Sequence, residues 1–250
     1  MKAVVLAAGK GIRLRPLTND RPKAMVELAK KPLLQHVLER LEDAKVTEVA
    51  LIVGYKGEKI REYFGESFNK MKIVYITQEK QLGTAHAVGL AREFVGLENF
   101  LCTYTDVIVE SEIYKTLVEK FTPKKQDMFM ESVEKLGAFD AAIVGREVKD
   151  PWRFGVLEVE GERVLDIVEK PMIGQEPSKI INTGIYWLTP KIFQEIERTE
   201  KSTREEYEIT NSLKLIAKQQ RLGFVKYEGE WIDISNVKEL KEAEKLLKSK

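Results

Sequence analysis

Two glycines flank a lysine near the start of the chain, in Ala8-Gly9-Lys10-Gly11-Ile12-Arg13. Glycines at such a turn let backbone N–H groups come close to phosphate oxygens. The segment is also basic. From Lys10 to Lys31 there are seven basic residues (Lys10, Arg13, Arg15, Arg21, Lys23, Lys30, Lys31) and two acidic ones (Asp20, Glu27), a local net of +5 that could hold a compact polyanion. Two familiar phosphate loops are excluded. A dinucleotide fingerprint needs a third glycine where Leu14 stands, and a Walker A loop needs Ser or Thr where Gly11 follows Lys10. The glycine pair by itself is equally compatible with a tight strand-to-helix turn.

The elements around this turn suit it to its task. Met1 to Gly9 reads as a buried strand running into the turn, not as a cleaved secretion signal, because its apolar run is too short. Leu33, Leu34, Val37, Leu38 and Leu41 follow helical spacing, with Pro32 at the first helical position. Val49 to Val53 reads as a second strand, Glu58 to Phe64 as a helix, Ile73 to Ile76 as a third strand, Ala85 to Phe94 as a helix, and Phe100 to Thr103 as a fourth strand. This alternation predicts an α/β fold: a parallel sheet with helices on both faces. Ligands of such sheets bind beyond the carboxyl ends of the strands. The glycine turn, Gln78 to Gly83 and Asp106 all follow strands, so they should converge on one edge.

The second half mixes its elements. Residues 111 to 137 read as mainly helical, interrupted at Pro123. Ala141 to Val148 reads as a strand, and Val156 to Val168 as a hairpin about Glu160-Gly161-Glu162. Ile185 to Leu188 is a strand, Pro190 to Arg198 a helix, Ile209 to Gln219 a helix, Phe224 to Tyr227 a strand, and Asn236 to Lys248 a closing helix. No linker divides the chain, so residues 1–250 read as one domain. Its first half covers about 1–110, its second about 111–235, and the closing helix about 236–248.

Leu6-Ala7-Ala8-Gly9-Lys10-Gly11-Ile12-Arg13-Leu14-Arg15-Pro16-Leu17-Thr18 and Arg21-Pro22-Lys23-Ala24-Met25 closely resemble the signature of the sugar-phosphate nucleotidylyltransferases, the glucose-1-phosphate thymidylyl- and uridylyltransferases and their relatives. Gln78 to Ala85, Phe154-Gly155-Val156, Glu169-Lys170-Pro171, Asn182 to Tyr186 and Trp231 to Ile234 resemble that family's later blocks, in order. The resemblance implies a Rossmann-like three-layer α/β/α nucleotidyltransferase fold with a mixed, mainly parallel central sheet. It implies a catalytic domain without the left-handed β-helix that continues many relatives.

The resemblance also implies roles. Arg13 contacts the triphosphate and stabilises the leaving pyrophosphate, with Lys23 as a second phosphate-binding cation. Leu6, Ala8, Gly9, Gly11, Gln78, Gly83 and Thr84 bind the nucleotide, Gln78 and Gly83 reading a pyrimidine edge. Glu169 accepts sugar hydroxyls, Lys170 holds the sugar phosphate, and Gly155 and Asn182 contact the sugar. Asp106 and Asp233 hold Mg²⁺, whose hard cation suits carboxylate oxygens. The expected reaction moves a nucleoside monophosphate from UTP or dTTP to a sugar 1-phosphate, with release of pyrophosphate. Two other readings remain: a non-catalytic regulatory or assembly subunit on the same domain, and a transferase for a phosphorylated alcohol. Ile12 stands where relatives usually have Ser or Thr, and Thr105 where they commonly have Gly.

Composition narrows the partners. With 41 Lys plus Arg against 40 Asp plus Glu, nothing argues for general nucleic-acid binding. No apolar run is long enough to span a membrane. Cys102 is the single cysteine, which suits a reducing cytoplasm. A nucleoside triphosphate and a sugar 1-phosphate are the expected partners, and a homo-oligomer is left open. His36 and His86 read as structural, because this chemistry needs no histidine.

Overall fold

In chain order, the computed structural model has strand β1 (Lys2–Ala7), the short pair β2 (Glu27–Leu28) and β3 (Lys31–Pro32), helix α1 (Leu33–Asp43), β4 (Glu48–Val53), α2 (Gly57–Phe64), β5 (Ser67–Phe68), β6 (Met71–Thr77), α3 (Thr84–Gly89), α4 (Arg92–Val95), β7 (Phe100–Tyr104), β8 (Val107–Val109) and α5 (Glu112–Phe121). There follow β9 (Ala141–Glu147), β10 (Gly155–Glu160), β11 (Arg163–Glu169), β12 (Ile180–Leu188), α6 (Ile192–Glu197), α7 (Ile209–Lys218), β13 (Leu222–Lys226), β14 (Trp231–Asp233) and α8 (Val237–Lys248). The structure describes residues 1–122 and 139–248. The expected helical stretch beyond Pro123 therefore lies outside the described residues.

Ten strands form one sheet in the order β10-β11-β13-β9-β12-β7-β1-β4-β6-β5. The four strands expected to be parallel are so: β1 pairs with β4 and β7, and β4 with β6. The mixture enters at β12, which runs antiparallel to both β7 and β9. It continues through the antiparallel hairpin of β10 and β11, while β13 and β9 are parallel.

β1 is apolar at nearly every position because both faces of the sheet are covered. Ala3, Val5 and Ala7 pack with Leu34, Val37, Leu38 and Leu41 of α1, Ile60 of α2, and Leu117 of α5. Val4 and Leu6 pack on the other face with Val88 of α3, Phe193 of α6, and Leu213 and Ile216 of α7. A third cluster joins α8 (Leu240, Ala243) to Leu14, Leu28, Leu33 and Ile108. Through Leu14, it seats the turn that follows β1. These layers are the three-layer α/β/α arrangement about a mixed sheet that the resemblance implied.

Two local expectations change. The helix expected over Ala85 to Phe94 breaks into α3 and α4, with Leu90 and Ala91 between them. Gly89, a poor helix former, ends the first piece. Pro32 caps α1 rather than opening it; its ψ of 144° is extended, and the helix begins at Leu33.

Candidate active site

β1 lies between β4 and β7, so its carboxyl end delivers the glycine turn to the middle of the sheet edge. Gly11 sits at φ 62° in the left-handed region. A Cβ there would lie 2.9 Å from Thr18 Cγ2 and 3.0 Å from Lys23 Cβ, so both conformation and space require glycine. The Thr18 hydroxyl donates to the Gly11 carbonyl at 2.8 Å, which holds the turn closed. A single helical turn, Ile12–Leu14, follows. Leu14 is buried as its anchor and Ile12 is 62% exposed. The chain then returns, and the Lys23 ammonium donates to the Asp106 carboxylate.

Two of the cavities along this edge adjoin each other. The smaller, of about 220 Å³, is lined by Leu6, Ala8, Gly9, Lys23, Gln78, Gly83, Thr84 and Asp106, with Gln81, Tyr104, Thr105 and Glu206. The larger, of about 400 Å³, is lined by Arg13, Asp106, Gly155, Glu169, Lys170, Asn182 and Asp233. Of the residues the sequence singled out, Gly11 alone lines neither; it shapes the turn from behind. Asp106, Thr84, Tyr104 and Glu206 line both cavities, so two ligands seated in them would meet at Asp106.

The wall of the smaller cavity is braced from the second half of the chain. Tyr207 N donates to Leu82 O and Ala85 N donates to Tyr207 O, both at 2.8 Å. The Thr84 hydroxyl accepts from Ile209 N at 2.9 Å. Gly83, at φ 117°, passes so close that a Cβ would stand 2.4 Å from Tyr207 O. The side-chain amide of Gln81 donates to Ala8 O, which ties this segment to the glycine turn.

The larger cavity is made by β10, β11 and β12. Gly155 pairs with Glu169, and Val156 with Ile181, at the same edge. A Cβ on Gly155 would lie 3.0 Å from Glu169 Oε2. β12 bulges between Asn182 and Tyr186, where Gly184 takes φ 83°. Asn182 is pinned at both ends of its amide: Oδ1 accepts from Gly184 N, and Nδ2 donates to Tyr186 OH, each at 2.8 Å. Only its second lone pair and second proton remain for a ligand. Burial, then the neighbouring Glu208 carboxylate, raises the Glu169 carboxyl above its ordinary range, against Lys170 at 4.0 Å and Arg204 at 3.5 Å. Tyr104 and Tyr186 meet edge to face at 6.4 Å, and burial raises both phenols, so they stand as neutral hydroxyls.

Asp233 reaches the site through a pairing the sequence did not reveal. β14 runs antiparallel to β8, placing Asp233 opposite Val107, and Ile234 N donates to Asp106 O at 3.0 Å. Burial, then the charge of Asp106, pushes the Asp233 carboxyl up to about 7, with Lys23 and Arg13 opposing the rise. The rise therefore reports burial first and the neighbouring Asp106 charge second, with both cations working against it. Among the described residues no group of three or more His, Cys, Asp or Glu could hold a metal. The carboxylates of Asp106 and Asp233 are hard oxygen donors of the kind that could hold Mg²⁺, and Asp106 here engages the Lys23 ammonium.

Sequence reading missed Tyr104, Arg153, Arg204, Glu206, Glu208 and Trp231 among the lining residues. Glu206 and Glu208 precede α7, where acids read as ordinary helix-start residues. His86, read from the sequence as structural, places its Nδ1 2.9 Å from Gln78 Nε2. His36 is structural: its Nε2 bonds Leu28 O at 2.8 Å, and burial lowers its basicity. Cys102 is buried. No helix among the described residues is long and apolar enough to cross a membrane.

The chain is similar to known proteins in sequence and in overall shape. The chain is 38% identical, over its whole length, to 55% of the bifunctional protein GlmU of Methanocaldococcus jannaschii. It is 33% identical to the UTP–glucose-1-phosphate uridylyltransferase AglF of Haloferax volcanii, over 99% of this chain and 96% of that protein. The chain spans about half the length of the GlmU proteins it matches. A solved UDP-glucose pyrophosphorylase with bound UDP-glucose superposes with a TM-score of 0.86 at 25% identity, covering 99% of this chain and 98% of that one. A Bacillus anthracis structure assigned as a glucose-1-phosphate thymidylyltransferase superposes with a TM-score of 0.85 at 29% identity, covering 98% and 94%. A family model described as nucleotidyl transferase matches residues 2–250, and the chain belongs to that family.

Proposed function

We propose that this protein transfers a nucleoside monophosphate from UTP or dTTP to a sugar 1-phosphate of the glucose 1-phosphate type, forming a nucleotide sugar and pyrophosphate. The observation that carries the reading is the meeting of two cavities at Asp106, with Lys23 in the wall of one and Arg13 in the wall of the other. AglF and the two structural neighbours, named for this chemistry, support it.

The chemistry needs no protein nucleophile. An oxygen of the sugar phosphate, already ionised at neutral pH, attacks the α-phosphorus, and the bond to pyrophosphate breaks. Arg13 and Lys23 carry the charge that gathers on the leaving group, and a guanidinium can engage two phosphate oxygens at once. Lys170 holds the sugar phosphate, and Glu169 accepts from sugar hydroxyls. Asp106 and Asp233 would hold Mg²⁺, which neutralises phosphate charge when bound. Holding both substrates in one geometry at the seam supplies much of the rate. A cytoplasmic location, where nucleoside triphosphates abound, goes with this reading.

The test is pyrophosphate release across a panel of nucleoside triphosphates and sugar 1-phosphates with Mg²⁺. UTP or dTTP with a hexose 1-phosphate should give turnover. Silence of folded protein across the whole panel sinks the proposal.

A further inference from the structure

The geometry points to His86 as the positioning residue that fixes which way the Gln78 amide faces, so that the pocket offers the base a hydrogen-bond acceptor and selects uracil or thymine over cytosine. This rests on the nucleotidyl-transfer reading above and on the resemblance by which Gln78 and Gly83, both in the wall of the smaller cavity, read a pyrimidine edge.

The orientation follows from what each neighbour can do. Gly83 O lies 3.1 Å from one end of the Gln78 amide. A backbone carbonyl only accepts, so that end is the NH₂. The same nitrogen lies 2.9 Å from His86 Nδ1. An amide NH₂ donates and does not accept, so Nδ1 is the bare nitrogen and the ring proton sits on Nε2. Both amide protons are thereby used. Among the described residues no donor is bonded to Gln78 Oε1, and Gln78 lines the smaller cavity while only 5% exposed.

Of the two anchors, His86 is the one not shared. Gly83 O also accepts from Ala87 N at 3.1 Å, as part of α3. Nδ1 of His86 has the amide alone. Without it, one amide proton loses its partner and the flipped amide is disfavoured by Gly83 only.

A fixed acceptor reads one feature of a pyrimidine. Uracil and thymine carry a hydrogen on N3, which donates to Oε1. Cytosine carries a lone pair there, which faces Oε1 with no proton between them. In a buried site such a mismatch is costly, since both polar groups lose water without gaining each other.

The experiment compares wild type, His86→Leu and His86→Asn. Asn keeps an acceptor near the place of Nδ1; Leu does not. Binding of UTP and CTP is measured by calorimetry, and kcat and KM for each by pyrophosphate release. Wild type should favour UTP. His86→Leu should lower the UTP-to-CTP ratio of kcat/KM by about 10- to 100-fold, through KM for UTP, with kcat at saturating UTP and KM for the sugar phosphate within about twofold of wild type. His86→Asn should recover most of the ratio. An unchanged ratio in His86→Leu overturns the proposal, as does a His86→Asn variant that behaves like it, since the side chain then only fills space. Wild type that binds neither nucleotide overturns the base-pocket reading itself, and this inference with it.

Discussion

The ammonium of Lys23 lies against the carboxylate of Asp106, so the cation of the returning loop and the acid between β7 and β8 neutralise each other. Their side chains are 15% and 21% exposed, sheltered enough for the pair to matter. Removing the cation leaves Asp106 beside Asp233 with one fewer counter-charge. Lys23→Met should therefore destabilise the fold by roughly 1–3 kcal/mol, less than for a fully buried pair because water still reaches both groups. Adding Asp106→Asn should return part of that loss in chemical denaturation. The same Lys23→Met variant should lose about 10²- to 10³-fold in kcat, the usual cost of deleting one charge-stabilising group.

Asp233 predicts a pH dependence with a definite sign. Its folded-state carboxyl is raised from 3.8 to about 7 by burial and by Asp106. A raised acid favours folding while protonated and loses that advantage as pH climbs to its folded value. Asp233→Asn should match wild type in stability near pH 4, gain on it between about pH 4 and 7, and keep a constant lead above about pH 8, on the order of 1 kcal/mol or more. Melting curves across pH 4–9 read this directly. The variant should also be inactive, and Mg²⁺ with nucleotide should raise the wild-type Tm but not that of the variant.

Glu169 lies in the larger cavity, its carboxyl raised by burial and by Glu208. Glu169→Gln keeps an acceptor oxygen and removes the charge. KM for the sugar phosphate should rise roughly 10- to 100-fold, as for loss of a charged hydrogen bond. KM for the nucleotide should stay within about twofold. A change confined to the nucleotide would assign Glu169 to the wrong ligand.

Gly83→Ala tests the brace between the two cavities. The added Cβ would stand 2.4 Å from Tyr207 O, and φ is 117°. Backbone on one side and conformation on the other leave no cheap relief, so a loss of about 1–3 kcal/mol is expected. KM should rise for both substrates, because Thr84 and Ile209 are bonded through the same brace. Gly161, whose added Cβ meets nothing within 4 Å, is the control: Gly161→Asn should be tolerated and leave both KM values alone.

The parts of this site that follow strands were legible. The turn after β1, Gln78 after β6 and Asp106 after β7 lie at one edge because parallel strands must end there together, and apolar runs mark where those strands are. Asp233 was different. Its partner strand, Val107–Val109, is three residues long and lies far away in sequence, with no periodicity that names the pairing; only the family resemblance joined the two acids. Asn182 too was marked only by the family resemblance. The bulge at Gly184 interrupts the alternation of β12, so the sequence marked a strand only from Ile185. Glu206 and Glu208 look like any acids before a helix until the Tyr207 bonds draw them over the seam. The Gln78–His86 contact crosses from a strand end into α3, and nothing in residue types or spacing announces it.

The central claim is nucleotidyl transfer at the seam of the two cavities, and following the α-phosphorus tests it most directly. UTP labelled at the α-phosphate is incubated with glucose 1-phosphate, Mg²⁺ and protein, in parallel with the Asp106→Asn variant. The account predicts that the label appears in a nucleotide sugar, that one pyrophosphate forms for each product, and that the variant, still folded, transfers none. Label left in UTP or released as free UMP by folded wild type, or equal transfer by the variant, would contradict it.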